Sequence, residues 1–164
     1  MPDRIYNVLF ICTHNSARSI MAEGILNALG RGRFKAFSAG SHPGSVVNPF
    51  ALQTLRSMHM SDQGFRSKDW LEFSKPDAPP LDFVFTVCDK AAGEACPLWP
   101  GRPMTAHWGV EDPASFVGTT EQTVKVFWDT AMVLKRRIEL MLELPLASLD
   151  RLAIQREIRE IGQR

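Results

Sequence analysis

The chain has 164 residues, 45% hydrophobic and 23% charged, which is enough for one compact domain with a sizeable core. A formal net charge of +1 argues against a broad nucleic-acid-binding surface, and no apolar run approaches the roughly 20 residues that span a bilayer. The first residues are too polar and short for a secretory signal, and three cysteines cannot pair completely within one monomer, so a cytoplasmic location with reduced thiols is expected.

Residues 5–11 read as a buried parallel strand, after which Ile20, Gly24, Ile25, Ala28 and Leu29 recur at helical spacing until Gly30 and Gly32. Residues 34–39 form a second strand closed by Gly40. A helix over 49–58 should bury Phe50, Leu52, Leu55 and Met58, and residues 70–73 make a further short helix. The proline cluster at 76–80 connects to a third strand, 83–87, which ends at Cys88. Residues 97–103 are loop, and 104–107 are a fourth strand. A long helix over 120–142 aligns Val124, Phe127, Ala131, Leu134, Ile138 and Leu142. Pro145 breaks it, and residues 148–161 carry Leu149, Leu152, Ile158 and Ile161 as a terminal amphipathic helix.

This alternation predicts an α/β fold: a three-layer, doubly wound, four-stranded parallel sheet with an extra C-terminal helix. Residues 1–145 are expected to form the catalytic domain, with 146–164 packed on it or in a dimer contact; a monomer or weak homodimer follows. Ligands of such sheets sit beyond the carboxyl ends of the strands. Cys12, Cys88 and the loop after His107 all follow strands, so they belong to one edge.

The segment Cys12-Thr13-His14-Asn15-Ser16-Ala17-Arg18-Ser19 joins the first strand to a helix start. Unpaired N–H groups and the positive end of the helix dipole converge there, as an oxyanion site requires. Arg18 can clamp two oxygens bidentately. The same field should lower the pKa of the Cys12 thiol, whose thiolate is the attacking species. Ser19 is expected to orient that thiolate, and Asn15 tolerates the positive φ of a tight loop. A buried strand-end cysteine beside a surface arginine is the bland alternative.

These eight residues resemble the phosphate-binding loop of low-molecular-weight protein tyrosine phosphatases and their relatives, the thiol-coupled arsenate reductases. The resemblance runs from about Asn7 to Leu142 and includes Phe37-Ser38-Ala39-Gly40 and His107-Trp108-Gly109-Val110-Glu111-Asp112-Pro113. The last two motifs, with the further cysteines, are more similar to the reductases. The resemblance implies oxyanion binding by Thr13, His14, Asn15, Ser16, Ala17, Arg18 and Ser19, and makes Asp112 the general acid, with Glu111 a solvated neighbour. Family phosphatases usually carry Tyr after Asp-Pro; this chain has Ala114 there.

Cys88 and Cys96 enclose a small, polar segment that can rearrange. Read alone they could be two unrelated buried cysteines, and their spacing suits no metal. The resemblance implies a relay: Cys12 attacks arsenate, Cys88 attacks Cys12 as arsenite leaves, and Cys96 resolves the disulfide. An external thiol reductant, thioredoxin or alternatively glutaredoxin or glutathione, would then restore the thiols; no bound cofactor or metal is expected. Phosphate would compete with arsenate. Some relatives hold potassium beside the loop; the corresponding residues are Asn15, Glu23, Ser38 and Lys68, whose ammonium would stand in for the cation. The alternatives are a phosphatase acting on phosphomonoesters, or a non-enzymatic oxyanion-binding or redox-sensing partner domain. His14, His42, His59 and His107 show no ligand spacing, and His107 reads as a packing or hydrogen-bonding residue.

Overall fold

In the computed structural model, residues 4–44, 46–89, 93, 97 and 99–164 are described. Four parallel strands, β1 (Tyr6–Cys12), β2 (Phe34–Gly40), β3 (Phe83–Thr86) and β4 (Met104–His107), lie in the order β2-β1-β3-β4. Among the described residues the α-helices are α1 (Arg18–Leu29), α2 (Pro49–Ser57), α3 (Thr120–Leu142) and α4 (Arg151–Ile161). The fold is the expected doubly wound α/β sheet with a C-terminal helix. No described helix is long and apolar enough to cross a membrane.

The chain leaves β1 toward β2 on one side and later returns to β3 and β4 on the other. Right-handed crossovers then open a crevice at the carboxyl ends of β1 and β3, the switch point of the sheet. Register fixes what faces it. Ile11 pairs with Thr86, and Thr86 with His107. Extending the Ile11–Thr86 pairing by two residues brings Thr13 beside Cys88.

Val8–Ile11 are fully buried at the centre of the sheet, and Trp108 stacks on Phe85 at 3.8 Å. Burying each such side chain stabilises by about 1.5–3 kcal/mol, so the strand ends that carry the loops are held firmly. Local signals start the helices. Asn48 caps α2 before Pro49, Thr119 and Gln122 form a capping box on α3, and Asp150 caps α4.

The buried stripes differ from the sequence expectation at their margins. Leu29 is 38% exposed in the last turn of α1, and Met21, Ala22 and Leu26 are among its buried residues. Phe50, Leu52 and Met58 are only half-buried, while Ala51, Thr54 and Leu55 face the core. On α3 Met141 is buried rather than Leu142. On α4 Leu152 is 82% exposed, because the face turned to the protein runs through Ile154, Ile158 and Ile161.

Candidate active site

Ser41, His42, Gly44 and Asn48 border the Cys12–Ser19 segment. The carbonyls of Cys12, Thr13, His14 and Ser16 accept from the N–H groups of Ser41, His42, Gly44 and Asn48 at 3.2, 2.8, 3.0 and 2.9 Å. In a planar trans peptide the N–H points opposite to its carbonyl, so the N–H groups of Thr13, His14, Asn15 and Ala17 turn inward. Ala17 begins α1 without a side-chain cap, which leaves first-turn donors for an anion. Gly40 permits this close approach: a β-carbon there would lie 2.6 Å from the Thr13 carbonyl oxygen.

Asn15 holds the loop's tightest bend at φ 50° and is fully buried. Its amide nitrogen donates to Ser19 Oγ at 2.8 Å and Ser38 Oγ at 3.0 Å, and its amide oxygen accepts from the Lys68 backbone N–H at 3.0 Å. Ser19 thus meets Asn15, and the groups acting on the Cys12 thiol are Cys88, Arg18 and the Thr13 N–H.

Cys12 and Cys88 are both buried. Cys88 hydrogen-bonds to Cys12, and its Sγ lies 3.3 Å from Thr13 Oγ1. The Cys88 contact, then burial, push the Cys12 thiol well above its ordinary value; Arg18 and the Thr13 N–H pull it down. This reverses the lowered value expected from the loop and helix dipole alone, since a second thiol against the first was not counted there.

Arg18 Nη1 donates to the Val110 carbonyl at 3.0 Å, and Nη2 lies 3.8 Å from Asp112 Oδ2. Arg18 Nε is buried without a hydrogen-bond partner. A buried donor left unpaired is costly, which favours an acceptor beside it. Asp112 Oδ1 caps a short 3-10 turn, Pro113–Ser115, through the Ala114 N–H at 3.0 Å, while its side chain stays 39% exposed. Thr13, His14, Arg18, Cys88, Asp89, Val110, Glu111 and Asp112 line one cleft of about 320 Å³. Cys96 lies outside the described residues.

Behind the loop, Ser38 Oγ donates to Glu23 Oε1 at 2.5 Å. Lys68 Nζ sits 3.5 Å from Ser38 Oγ, 3.9 Å from Glu23 Oε1 and 3.0 Å from the Arg66 carbonyl. Burial pushes the Glu23 carboxyl up and the Lys68 ammonium down, each opposed by the other's charge. The Lys68 ammonium is thus set among the oxygens of Ser38, Glu23 and Arg66. Among the described residues no cluster of three His, Cys, Asp or Glu residues is arranged to hold a metal.

A family model for low molecular weight phosphotyrosine protein phosphatase matches residues 7–153. The chain belongs to the low-molecular-weight phosphotyrosine protein phosphatase family. It is similar to an arsenate reductase of Shouchella clausii, 35% identical over 122 residues, 73% of this chain and 83% of the relative. Among solved structures it is similar to an arsenate reductase in the phosphate binding state, with TM-score 0.66 and 29% identity over 82% of this chain and 94% of the other. A low-molecular-weight protein tyrosine phosphatase from T. tengcongensis gives TM-score 0.69 and 25% identity over 84% and 98% of the two chains. The chain is accordingly an arsenate-reductase-like enzyme of this family.

Three contacts of this family member escaped the sequence. The Val110 carbonyl holds Arg18, and a backbone carbonyl leaves no residue-type signal. Thr13 bridges to Cys88, which register alone could have shown. His107 accepts or donates between Thr86 Oγ1 at 2.8 Å and Asp89 Oδ1 at 2.6 Å, tying β4 to the residue after Cys88.

Proposed function

We propose that this enzyme reduces arsenate to arsenite through Cys12, Cys88 and Cys96, serving arsenic detoxification. The observation that carries the reading is the buried Cys88 thiol held against Cys12 by hydrogen bonding and by Thr13. Hydrolysis of a Cys12 adduct needs only water at the bound central atom; reduction needs a second sulfur within reach of the Cys12 sulfur. The relatives named arsenate reductase support the same substrate.

The Cys12 thiolate attacks arsenic and forms an S–As bond, while Asp112 protonates the oxygen that departs as water. The loop N–H groups and Arg18 hold the remaining oxygens. Cys88 then attacks the Cys12 sulfur. The S–As bond breaks with its electron pair going to arsenic, so As(V) becomes As(III) and the two thiols become a Cys12–Cys88 disulfide. Cys96 attacks Cys88, releasing the Cys12 thiolate and leaving a Cys88–Cys96 disulfide. A dithiol reductant of the thioredoxin kind, or glutaredoxin with glutathione, reopens it by exchange.

Arsenate reduction is tested with each recycling system in wild type, Cys88→Ser and Cys96→Ser. Cys88→Ser should form the adduct once and release no arsenite, and Cys96→Ser should stop after one turnover with a Cys12–Cys88 bond detectable by mass spectrometry. Full multiple turnover in either variant would exclude the relay. Residual phosphomonoester hydrolysis is compatible with it, because phosphate shares the shape and charge of arsenate. Arg18, Asp112 and Cys88 line one cleft with Cys12 buried against Cys88, and this supports catalysis over simple oxyanion sensing.

The Lys68 ammonium takes the cation's place in this reading. Turnover should therefore be unchanged when potassium replaces sodium at equal ionic strength. Lys68→Ala should lower kcat/KM about tenfold, as loss of a loop-supporting partner does, and should make the rate respond to potassium. Strong potassium activation of the wild type would rule the substitution out.

A further inference from the structure

We propose that Arg137 is a positioning residue for the oxyanion site, acting through the Gly109–Val110 peptide, and that the C-terminal helix is its second anchor. This deepens the reading of the Cys12 loop as an oxyanion site and rests on it.

Arg137 lies on the inner face of α3 between Leu134 and Met141 and is only 7% exposed. Burying a guanidinium is costly, and a carboxylate usually compensates. Among the described residues Arg137 has no aspartate or glutamate partner. Its Nη1 donates to the Gly109 carbonyl and its Nε to a backbone carboxylate oxygen of Arg164, the last of the 164 residues, both at 3.0 Å. Burial pushes its pKa down. Its bond to the Gly109 carbonyl is the one that reaches toward the Cys12 loop.

The Gly109 carbonyl belongs to the peptide whose N–H, on Val110, donates to the Val87 carbonyl at 3.1 Å. That peptide is therefore gripped on both edges, by α3 and by the segment leading to Cys88. The next carbonyl along, on Val110, is the one that accepts from Arg18 Nη1 at 3.0 Å, and Asp112 follows two residues later. A shift of the Gly109–Val110 peptide would carry the support of the clamp and the root of the acid loop together.

The C-terminal helix fixes the same stretch from the other side. Trp108 Nε1 donates to the Ile158 carbonyl at 2.9 Å. Gly162 lies so close to His107 that a β-carbon would overlap the His107 carbonyl oxygen. Arg137 then closes the circuit by holding Arg164 and Gly109 at once. Residues 107–110 are thus clamped between the end of α4 and α3.

The test uses the whole chain as Arg137→Met, Arg137→Lys and Gly162→Val, with the exposed neighbour Arg136→Met as control. Inorganic phosphate affinity is read by calorimetry, and kcat and KM for arsenate are read separately, all well below each variant's melting temperature. Arg137→Met and Gly162→Val should weaken phosphate binding and lower kcat/KM by about tenfold each, as small misplacements of a clamp do. Arg137→Lys should recover part of the loss, and Arg136→Met should match wild type. Unchanged phosphate affinity and kinetics in folded Arg137→Met and Gly162→Val, with only a lowered melting temperature, would overturn the proposal. If Arg137→Met does not fold, Gly162→Val and Arg137→Lys decide it by the same criteria. Because phosphate binding is read without any reduction, a wild type that binds phosphate but leaves arsenate intact would sink the reductase reading alone.

Discussion

Cys12→Ser is expected to lose arsenate reduction by more than about 10⁴-fold while still binding inorganic phosphate. Reduction needs two electrons, and the site supplies them by turning two thiols into a disulfide. A serine hydroxyl is a weak nucleophile and offers no sulfur for Cys88 to attack. The inward N–H groups and Arg18 do not depend on the side chain at position 12, so anion affinity persists. Arsenite release and phosphate calorimetry together check this; a variant that still turned over would remove the adduct from the mechanism. Alkylation of Cys12 with iodoacetamide adds a pH check on the wild type. Its thiol is held up by Cys88 and by burial, so the rate should climb as pH rises through the alkaline range. In Cys88→Ala the largest upward cause is gone, and the profile should move to lower pH.

Arg18→Lys is expected to cost about 10²–10³-fold in kcat/KM for arsenate, the range seen when one oxyanion donor is removed. The charge survives, so a purely electrostatic role would predict a small effect. The geometry argues otherwise. Arg18 has one nitrogen on the Val110 carbonyl and another near Asp112, with Nε buried and unpartnered. A lysine offers a single nitrogen on a flexible stem and cannot reach the Val110 carbonyl and two substrate oxygens in one plane. Steady-state kinetics with arsenate and phosphate inhibition constants measure it. Near-wild-type values would mean that the loop N–H groups alone hold the anion.

The strands and the long helix were legible because each carried two signals that agreed. The stripe from Val124 to Leu142 and the break at Pro145 marked α3, which spans the predicted residues. The terminal helix was less so. The expected stripe ran through Leu152, whereas packing against β4 buries Ile154 instead. The oxyanion loop could be read because chemistry there needs particular side chains in close succession. What lay beyond reading was whatever acts through backbone. The Val110 and Gly109 carbonyls have no residue signature, and Arg137, next to an apolar stripe, looks in sequence like any solvated arginine at the edge of a helix. The thiol of Cys12 was misjudged for a related reason: its strongest neighbour, Cys88, comes from another strand.

The three bonds that pin Asn15 in its left-handed bend have a thermodynamic consequence. The loop is shaped before any anion arrives, so binding does not have to pay for ordering it. Such a preformed cradle measures shape and charge, which arsenate and phosphate share. It cannot discriminate strongly between them at the binding step. In the proposed mechanism selectivity therefore falls to the next event, whether the element bonded to sulfur can accept an electron pair, and arsenic can where phosphorus does not.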